Sequence, residues 1–389
     1  MRKTSDVVIV GLGAMGAAAA YELGKRNARV IALEQFDIGH AYGSSHGESR
    51  IIRQACFEHP SYAPLSLRAY ALLAELNRRS GQDHFIICGG LMIGSRESAP
   101  VAGSLATARR HGLPYELLEA KEVRRRFPML RLADGQVAFF EAKAGVAFPE
   151  KLLRSWTGAA KHSGVELYQR CAVTAVEPHD NGVRVCGDGF AVEAGQAIVA
   201  AGPWLDRLFP ELRPHLSVER IVQHWFTPQD VRPFLPNAFP IFYWDVGPYQ
   251  LYGFPCMDPG SGSVKVGLDN DRTRCRPESV DRTVTKREIT DLDRALASHI
   301  PALHDRYLRS EPCLWTVSPD CNFIIGRHPG CERIILAGGC SGRAFKFAPV
   351  IGEILADLAL AGATAHDISL FSPQRLPAVE KQIPASIYA

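Results

Sequence analysis

The sequence has no run approaching the ~18 consecutive apolar residues that a membrane-crossing helix requires, so no membrane partner is expected. It also lacks a charge excess: 44 Lys plus Arg stand against 41 Asp plus Glu, a formal net charge of +3. Such a balance offers no general attraction to nucleic acid or to an anionic membrane surface. CxxC pairs are missing as well. The ten cysteines are scattered and without metal-ligand spacing, the pattern of reduced thiols and not of a disulfide framework or a metal site. A basic pair, Arg2-Lys3, precedes an apolar segment that a glycine pattern soon interrupts, so a secretory signal is not expected and the cytoplasm is the expected compartment. Neither an internal repeat nor a low-complexity segment is present.

What is there suits a globular enzyme. The 389 residues, 46% of them hydrophobic, can bury sizeable cores, and the length fits two domains better than one. Val7-Val8-Ile9-Val10 is a continuous apolar run, as in a strand buried on both faces. Helix formers fill Ala14 to Arg26, and Ala28 to Leu33 makes a second strand ending at Glu34. Residues 62–78 carry one apolar helical stripe. His84 to Ile93 and Gln136 to Phe148 are expected as short strands around a polar helical stretch, Leu105 to Phe127, with a helix after Pro149. Three strand-like runs occupy Val165 to Val199, strands are favoured from about 215 to 275, and Thr285 to Ile300 is an amphipathic helix. Ile334 to Ala337 is a buried strand, and 347–361 is a last helix. Strand–helix signals at the two ends, with antiparallel-looking strands between them, predict interleaved domains.

Gly11-Leu12-Gly13-Ala14-Met15-Gly16 follows the first strand and opens the first helix. The first glycine permits a tight turn, the second lets backbone approach a pyrophosphate, and the third allows close helix–strand packing. Glu34 ends the second strand, placed to accept hydrogen bonds from a ribose. This context predicts a dinucleotide site but does not separate NAD from FAD. Two glycine-rich strand ends far down the chain, Ala200-Ala201-Gly202-Pro203-Trp204 and Ala337-Gly338-Gly339-Cys340-Ser341-Gly342, suit a large cofactor threaded through the domain, although each alone could be an ordinary turn.

Further motifs carry a specific likeness. Gly43-Ser44-Ser45-His46-Gly47-Glu48-Ser49-Arg50-Ile51-Ile52-Arg53, Tyr252-Gly253-Phe254-Pro255 and Lys265-Val266-Gly267 are three of them. Cys313-Leu314-Trp315-Thr316-Val317-Ser318-Pro319-Asp320 and Ser341-Gly342-Arg343-Ala344-Phe345-Lys346-Phe347 complete the set. In order and spacing, over essentially the whole chain, they resemble the monomeric sarcosine oxidase and N-methyltryptophan oxidase family, within the D-amino acid oxidase-like superfamily. The resemblance implies an α/β plus α+β architecture. An FAD-binding Rossmann-type domain of the glutathione-reductase kind (1–84, 146–214 and 312–389) is interleaved with a substrate domain (85–145 and 215–311) built on a mixed, largely antiparallel sheet. It also implies FAD bonded to Cys313; Cys321 lies outside the motif. Read alone, Cys313 would be an inert buried thiol. The implied cofactor-binding set is Gly11, Gly13, Ala14, Met15, Gly16, Glu34, Gln35, Ser44, His46, Arg50, Val173, Gly202, Trp204, Cys313, Gly342, Phe345 and Lys346. His46 and Arg50 are the cations that could favour a Cys313 thiolate.

The same resemblance assigns Arg53 and Lys346 to the carboxylate of an amino acid substrate, a task suited to their charges, and makes Tyr252 an active-site tyrosine. By residue type alone, the first two would be surface charges and the third core packing. Lys265 alternates with Val264 and Val266, which taken alone describes a solvated lysine on a strand. The resemblance instead sets it over the flavin, where a fixed positive charge promotes electron transfer to O2. Two positions depart from the family pattern: Asp269 replaces a histidine, and Arg343 and Ala344 stand in Ser-Gly-His-Gly-Phe-Lys. Asp269 could pair with Arg343 or recognise a cationic group on the substrate. The expected activity is oxidation of a sarcosine-like N-methyl or cyclic amino acid, with O2 as acceptor, by a monomer. A dehydrogenase of the same fold and a flavin-binding module without turnover are the alternatives.

Overall fold

Val7 to Val10 are at most 5% exposed because strands pair with both their edges and apolar side chains pack on both faces. In the computed structural model, which describes residues 2–258, 260–269 and 272–377, this strand is β1 (Arg2–Val10). It pairs in parallel with β2 (Val30–Leu33) on one edge and with the Phe190–Val199 strand on the other. The helix α1 (Ala14–Lys25) connects β1 to β2. Its small residues Ala17–Ala20, at most 1% exposed, let the Ala348–Ala361 helix come very close. A Cβ added at Gly352 would lie 2.7 Å from the Ala18 Cβ. Beyond the Phe190–Val199 strand, Cys331–Gly338 adds a further parallel partner. With 166–168, 173–179, 182–187 and 324–328 the first sheet has eight strands.

The second sheet has nine strands, drawn from 90–141 and 217–317. Its pairings are antiparallel except that of Ile241–Asp245 with Gly90–Gly94, so it is the mixed, largely antiparallel sheet expected. The Lys286–His299 helix covers it with Leu292 and Leu296, and a capping box of Thr285 and Glu288 starts that helix. A small third sheet of Arg50–Ile52, Gly145–Ala147 and Phe85–Ile87 lies between the two in sequence.

Three details differ from the sequence reading. The polar stretch 105–127 is not one helix: Ala99–His111 ends at Gly112, whose φ of +62° no β-carbon-bearing residue adopts cheaply, and Glu116–Glu119 then pairs with Val137–Phe140 before a short helix, Ala120–Arg126. The span Val165 to Val199 holds four strands, not three. The boundaries expected at 145/146 and 311/312 fall inside the Gly145–Ala147 and Tyr307–Val317 strands. Cys313 therefore rides on a strand of the nine-stranded sheet, antiparallel to Ser217–Phe226. Residues 378–389 of the expected cofactor segment lie outside the described residues. Among the described residues, no helix is long and apolar enough to cross a membrane.

Candidate active site

The carboxyl end of β1 opens a long cleft, with about 1490 Å³ of non-atom space including its solvent-open part. Backbone crowding makes it possible. Gly11 has φ +92°, and a Cβ there would meet the Ala200 carbonyl at 2.5 Å; a Cβ on Gly16 would lie 1.8 Å from the Gly11 oxygen. Gly13, Ala14 and Met15 line the cleft at the N-terminus of α1. Gly13 provides no side-chain cap and the first turn carries no acid, so this helix end is electrostatically prepared for an anion. The Ser45 hydroxyl takes the Ala14 N–H at 3.0 Å. Glu34 is buried and accepts the Leu12 N–H at 2.8 Å and the Phe36 N–H at 3.0 Å. Burial acts to raise its carboxyl, but His40 and the two amides outweigh it and hold the group below its ordinary value. Replacing Gly16 by Ala should cost about 1–3 kcal/mol through overpacking and empty the cleft of flavin; thermal melting and the flavin-to-protein absorbance ratio would measure both.

Gln35, Ser44, Arg50, Val173, Gly202, Trp204, Gly342 and Phe345 also line this cleft, whereas Gly16 packs behind it. A second cavity, about 840 Å³ by the same measure, shares Arg50, Trp315, Gly342 and Phe345 with the first. Cys313, Lys265, Tyr252, Arg53, Asp269, Arg343 and Lys346 line this one. Residues as far apart in the chain as Ser49 and Lys346 thus line this second cavity.

At the junction, the Arg50 guanidinium lies 3.9 Å from the Cys313 sulfur and also donates to the Ser49, Ser44 and His46 carbonyls. Burial alone would push the Cys313 thiol up, as it pushes Cys56 and Cys340 to about 12; His46, Arg50 and Lys265 outweigh it and bring Cys313 below its ordinary value. Cys313 is the one cysteine shifted in that direction among the described residues. Cys321 lines neither space. Both ring nitrogens of His46 are buried without a well-formed hydrogen bond, Glu311 being 3.7 Å away, so the imidazole acts on Cys313 by charge and proximity. The Gln223 amide nitrogen and the Thr316 hydroxyl are likewise buried and unpartnered.

Lys265 is 4% exposed, so it is not the solvated lysine that alternation alone describes. Its ammonium donates to the Gly47 and Ser49 carbonyls at 2.7 and 3.0 Å and sits over the Phe254 ring. Burial, with the like charge of Arg50, pushes it well below the ordinary lysine value. Opposite lies a cluster of charges. Arg53 is stacked over Phe57 and gives one guanidinium nitrogen to both Glu58 oxygens at 2.7 and 2.8 Å. Burial would raise Glu58, but Arg53, Lys346 and Arg343 together hold it down at about 2. The Lys346 ammonium donates to the Arg343 carbonyl at 2.8 Å. Asp269 accepts the Tyr243 hydroxyl and is raised by burial, while the ion pair of Arg343 is with Glu58 at 3.9 Å. Tyr252 lies across Gly267, where a Cβ would meet its hydroxyl at 2.5 Å.

The glycine cradle at a helix N-terminus, a buried carboxylate lining the cleft and orphaned polar groups around a lowered thiol fit a flavin dinucleotide. Comparison with known proteins decides the matter: the FAD dependent oxidoreductase family matches residues 6–358. The chain belongs to that family. It is similar to a monomeric sarcosine oxidase of Streptomyces avermitilis, 43% identical over 381 residues that cover 97% of this chain and 99% of that protein. N-methyl-L-tryptophan oxidase of Escherichia coli O127:H6 is 33% identical over 376 residues, covering 95% and 99%. Among solved structures, the open form of NikD, an unusual amino acid oxidase essential for nikkomycin biosynthesis, superposes with a TM-score of 0.84 at 26% identity, over 97% of this chain and 100% of that one. As a family member the chain binds FAD, and the cleft is where these residues would hold it.

Sequence reasoning passed over Glu58, Tyr243, Gln223 and Ser45. Only Ser45 left a signal, inside the Gly43-Ser44-Ser45 motif. Glu58 sits in an unremarked loop, and its importance comes entirely from the three cations folded around it.

Proposed function

We propose that the protein oxidises secondary amino acids, N-methyl or cyclic, with O2 as acceptor, and that its FAD is bonded to Cys313. The observation that carries this reading is the shared wall of Arg50, Trp315, Gly342 and Phe345, where the dinucleotide cleft opens into a cavity lined by cations. When bound, FAD supplies the redox chemistry, accepting a hydride equivalent from the carbon beside nitrogen and yielding H2O2 on reaction with O2. The chain's own residues hold the substrate. Lys346 anchors its carboxylate as a point charge, because one of its donors is spent on the Arg343 carbonyl and the others remain. Arg53, with its Nη2 engaged by Glu58, fixes the field of that corner. Tyr252 and Phe254 close the cavity from the nine-stranded sheet, and Asp269 with Tyr243 bounds it at the substrate's far end. The imine so formed hydrolyses in water, to an aldehyde and a free amine for an N-methyl substrate. The names of the monomeric relatives support a monomer.

An anaerobic screen of N-methyl, cyclic and primary amino acids tests the proposal: loss of the oxidised-flavin absorbance should occur with secondary amines and be followed by H2O2 on admitting air. Rapid dye reduction with negligible H2O2 would instead mark a dehydrogenase. Lys346→Met should weaken substrate binding about 30-fold, the expectation for a lost charge-assisted hydrogen bond. Reduction rate against substrate concentration would measure it.

A further inference from the structure

Among the described residues, the Arg343 guanidinium has no hydrogen-bond acceptor. Its nearest carboxylate oxygen, on Glu58, is 3.9 Å away, and both Glu58 oxygens are already held by Arg53 at 2.7 and 2.8 Å. Its side chain is 36% exposed, yet it is not a loose surface arginine. The turn that presents it, Ser341-Gly342, has φ of +48° and +71°, and Gly342 is pressed so closely on the Trp315 ring that a Cβ would lie 2.6 Å from it. Its own amide is bonded to the Cys340 carbonyl at 2.9 Å. A fixed backbone thus aims a planar fork of donors into the cavity, a geometry matched to a carboxylate.

We propose that the substrate carries a second carboxylate, so that the enzyme's class of substrate is an N-substituted dicarboxylic amino acid whose distal acid is received by Arg343. The inference rests on the reading above, in which the first carboxylate is held at Lys346. The charge of the wall agrees: five basic side chains line the cavity against two acidic ones. One of those two, Asp269, already accepts the Tyr243 hydroxyl and faces the fields of Arg272 and Arg343. A cationic substrate side chain near Asp269 would share the cavity with Arg343, Arg53 and Lys346, so like-charge repulsion argues against recognition of a second amine.

The test uses two thioether ligands that cannot be oxidised at nitrogen, thiodiacetate with two carboxylates and (methylthio)acetate with one. Each is titrated into the purified holoenzyme and followed by perturbation of the flavin absorbance. Thiodiacetate should bind about tenfold more tightly, the ratio should fall to about one in Arg343→Gln, and Arg343→Lys should restore part of it. Equal affinities in the unaltered enzyme would overturn the proposal, as would an Arg343→Gln variant that weakens both ligands alike. If (methylthio)acetate binds and thiodiacetate does not, Arg343 excludes a second acid and the proposal fails while the carboxylate site stands. If neither ligand perturbs the flavin at millimolar concentration, the carboxylate site itself is wrongly assigned and both readings fall together.

Discussion

Replacing Lys265 by methionine should slow the reaction of the reduced enzyme with O2 by about two to three orders of magnitude, the size of effect seen when one preorganised electrostatic group is removed. Reduction by substrate should change by no more than about threefold, because the proposed anchor of the carboxylate is Lys346 and not Lys265. The physical argument begins with burial. Lys265 sits at 4% exposure over the Phe254 and Trp225 rings, with the Gly47 and Ser49 carbonyls as its acceptors among the described residues. A protein bears the cost of desolvating an ammonium when the charge has work to do. Electron transfer to O2 develops negative charge in the same low-dielectric space. Stopped-flow mixing separates the two half-reactions, and equal slowing of both would defeat the assigned role. A pH profile adds an independent check. Because burial and Arg50 lower this ammonium, the oxygen reaction should weaken as pH rises through a midpoint well below the ordinary lysine value of about 10.4. In Lys265→Met that pH dependence should vanish.

The second large effect concerns Cys313. Acid precipitation of the unaltered protein should leave the yellow colour in the pellet, and Cys313→Ala should release essentially all of it to the supernatant. The case rests on a contrast among cysteines of one chain. Cys56 is as thoroughly buried and Cys340 is half-buried, and burial pushes both up to about 12, where a thiol is inert. Cys313 meets the same desolvation but faces His46, Arg50 and Lys265, and their charges reverse the direction. The thiolate is the nucleophile, so the member of the set prepared to react is the one that lines the cavity beside Arg50. Colour retained by the pellet of the Ala variant would exclude the tether to Cys313.

How much of this was legible beforehand divides along a physical line. The dinucleotide end could be read because its chemistry is local: Gly11, Gly13 and Gly16 are close in sequence, and Glu34 follows one strand later. The eight-stranded sheet was legible for the same reason, since continuous apolar runs such as Val7–Val10 mark strands buried on both faces. The interior of the substrate cavity was not. Asp269 and Arg343 stood out only as departures from a family pattern. A pairing between them was one reading of the residues, but the fold gives Asp269 to Tyr243 and sets Arg343 beside Glu58. Glu58, which gathers three cations, carries no motif, because its partners come from residues 53, 343 and 346 and meet only after the sheets have packed. The broken helix at 105–127 is a smaller case of the same kind, in which pairing with the Val137–Glu141 strand claimed residues that composition had assigned to a helix.

The position of Cys313 on the Tyr307–Val317 strand has a mechanical corollary. That strand belongs to the nine-stranded sheet, whereas the cradle of Gly11, Gly13 and Glu34 belongs to the eight-stranded one. A flavin gripped by the cradle and bonded to Cys313 is then a cross-link between the two halves, closing a loop through the ligand much as a disulfide closes one through the chain. Cross-links of that kind stiffen the folded state against opening and trim the freedom of the unfolded one. The cofactor would serve as a rivet as well as a reagent, holding the two sheets at a set separation.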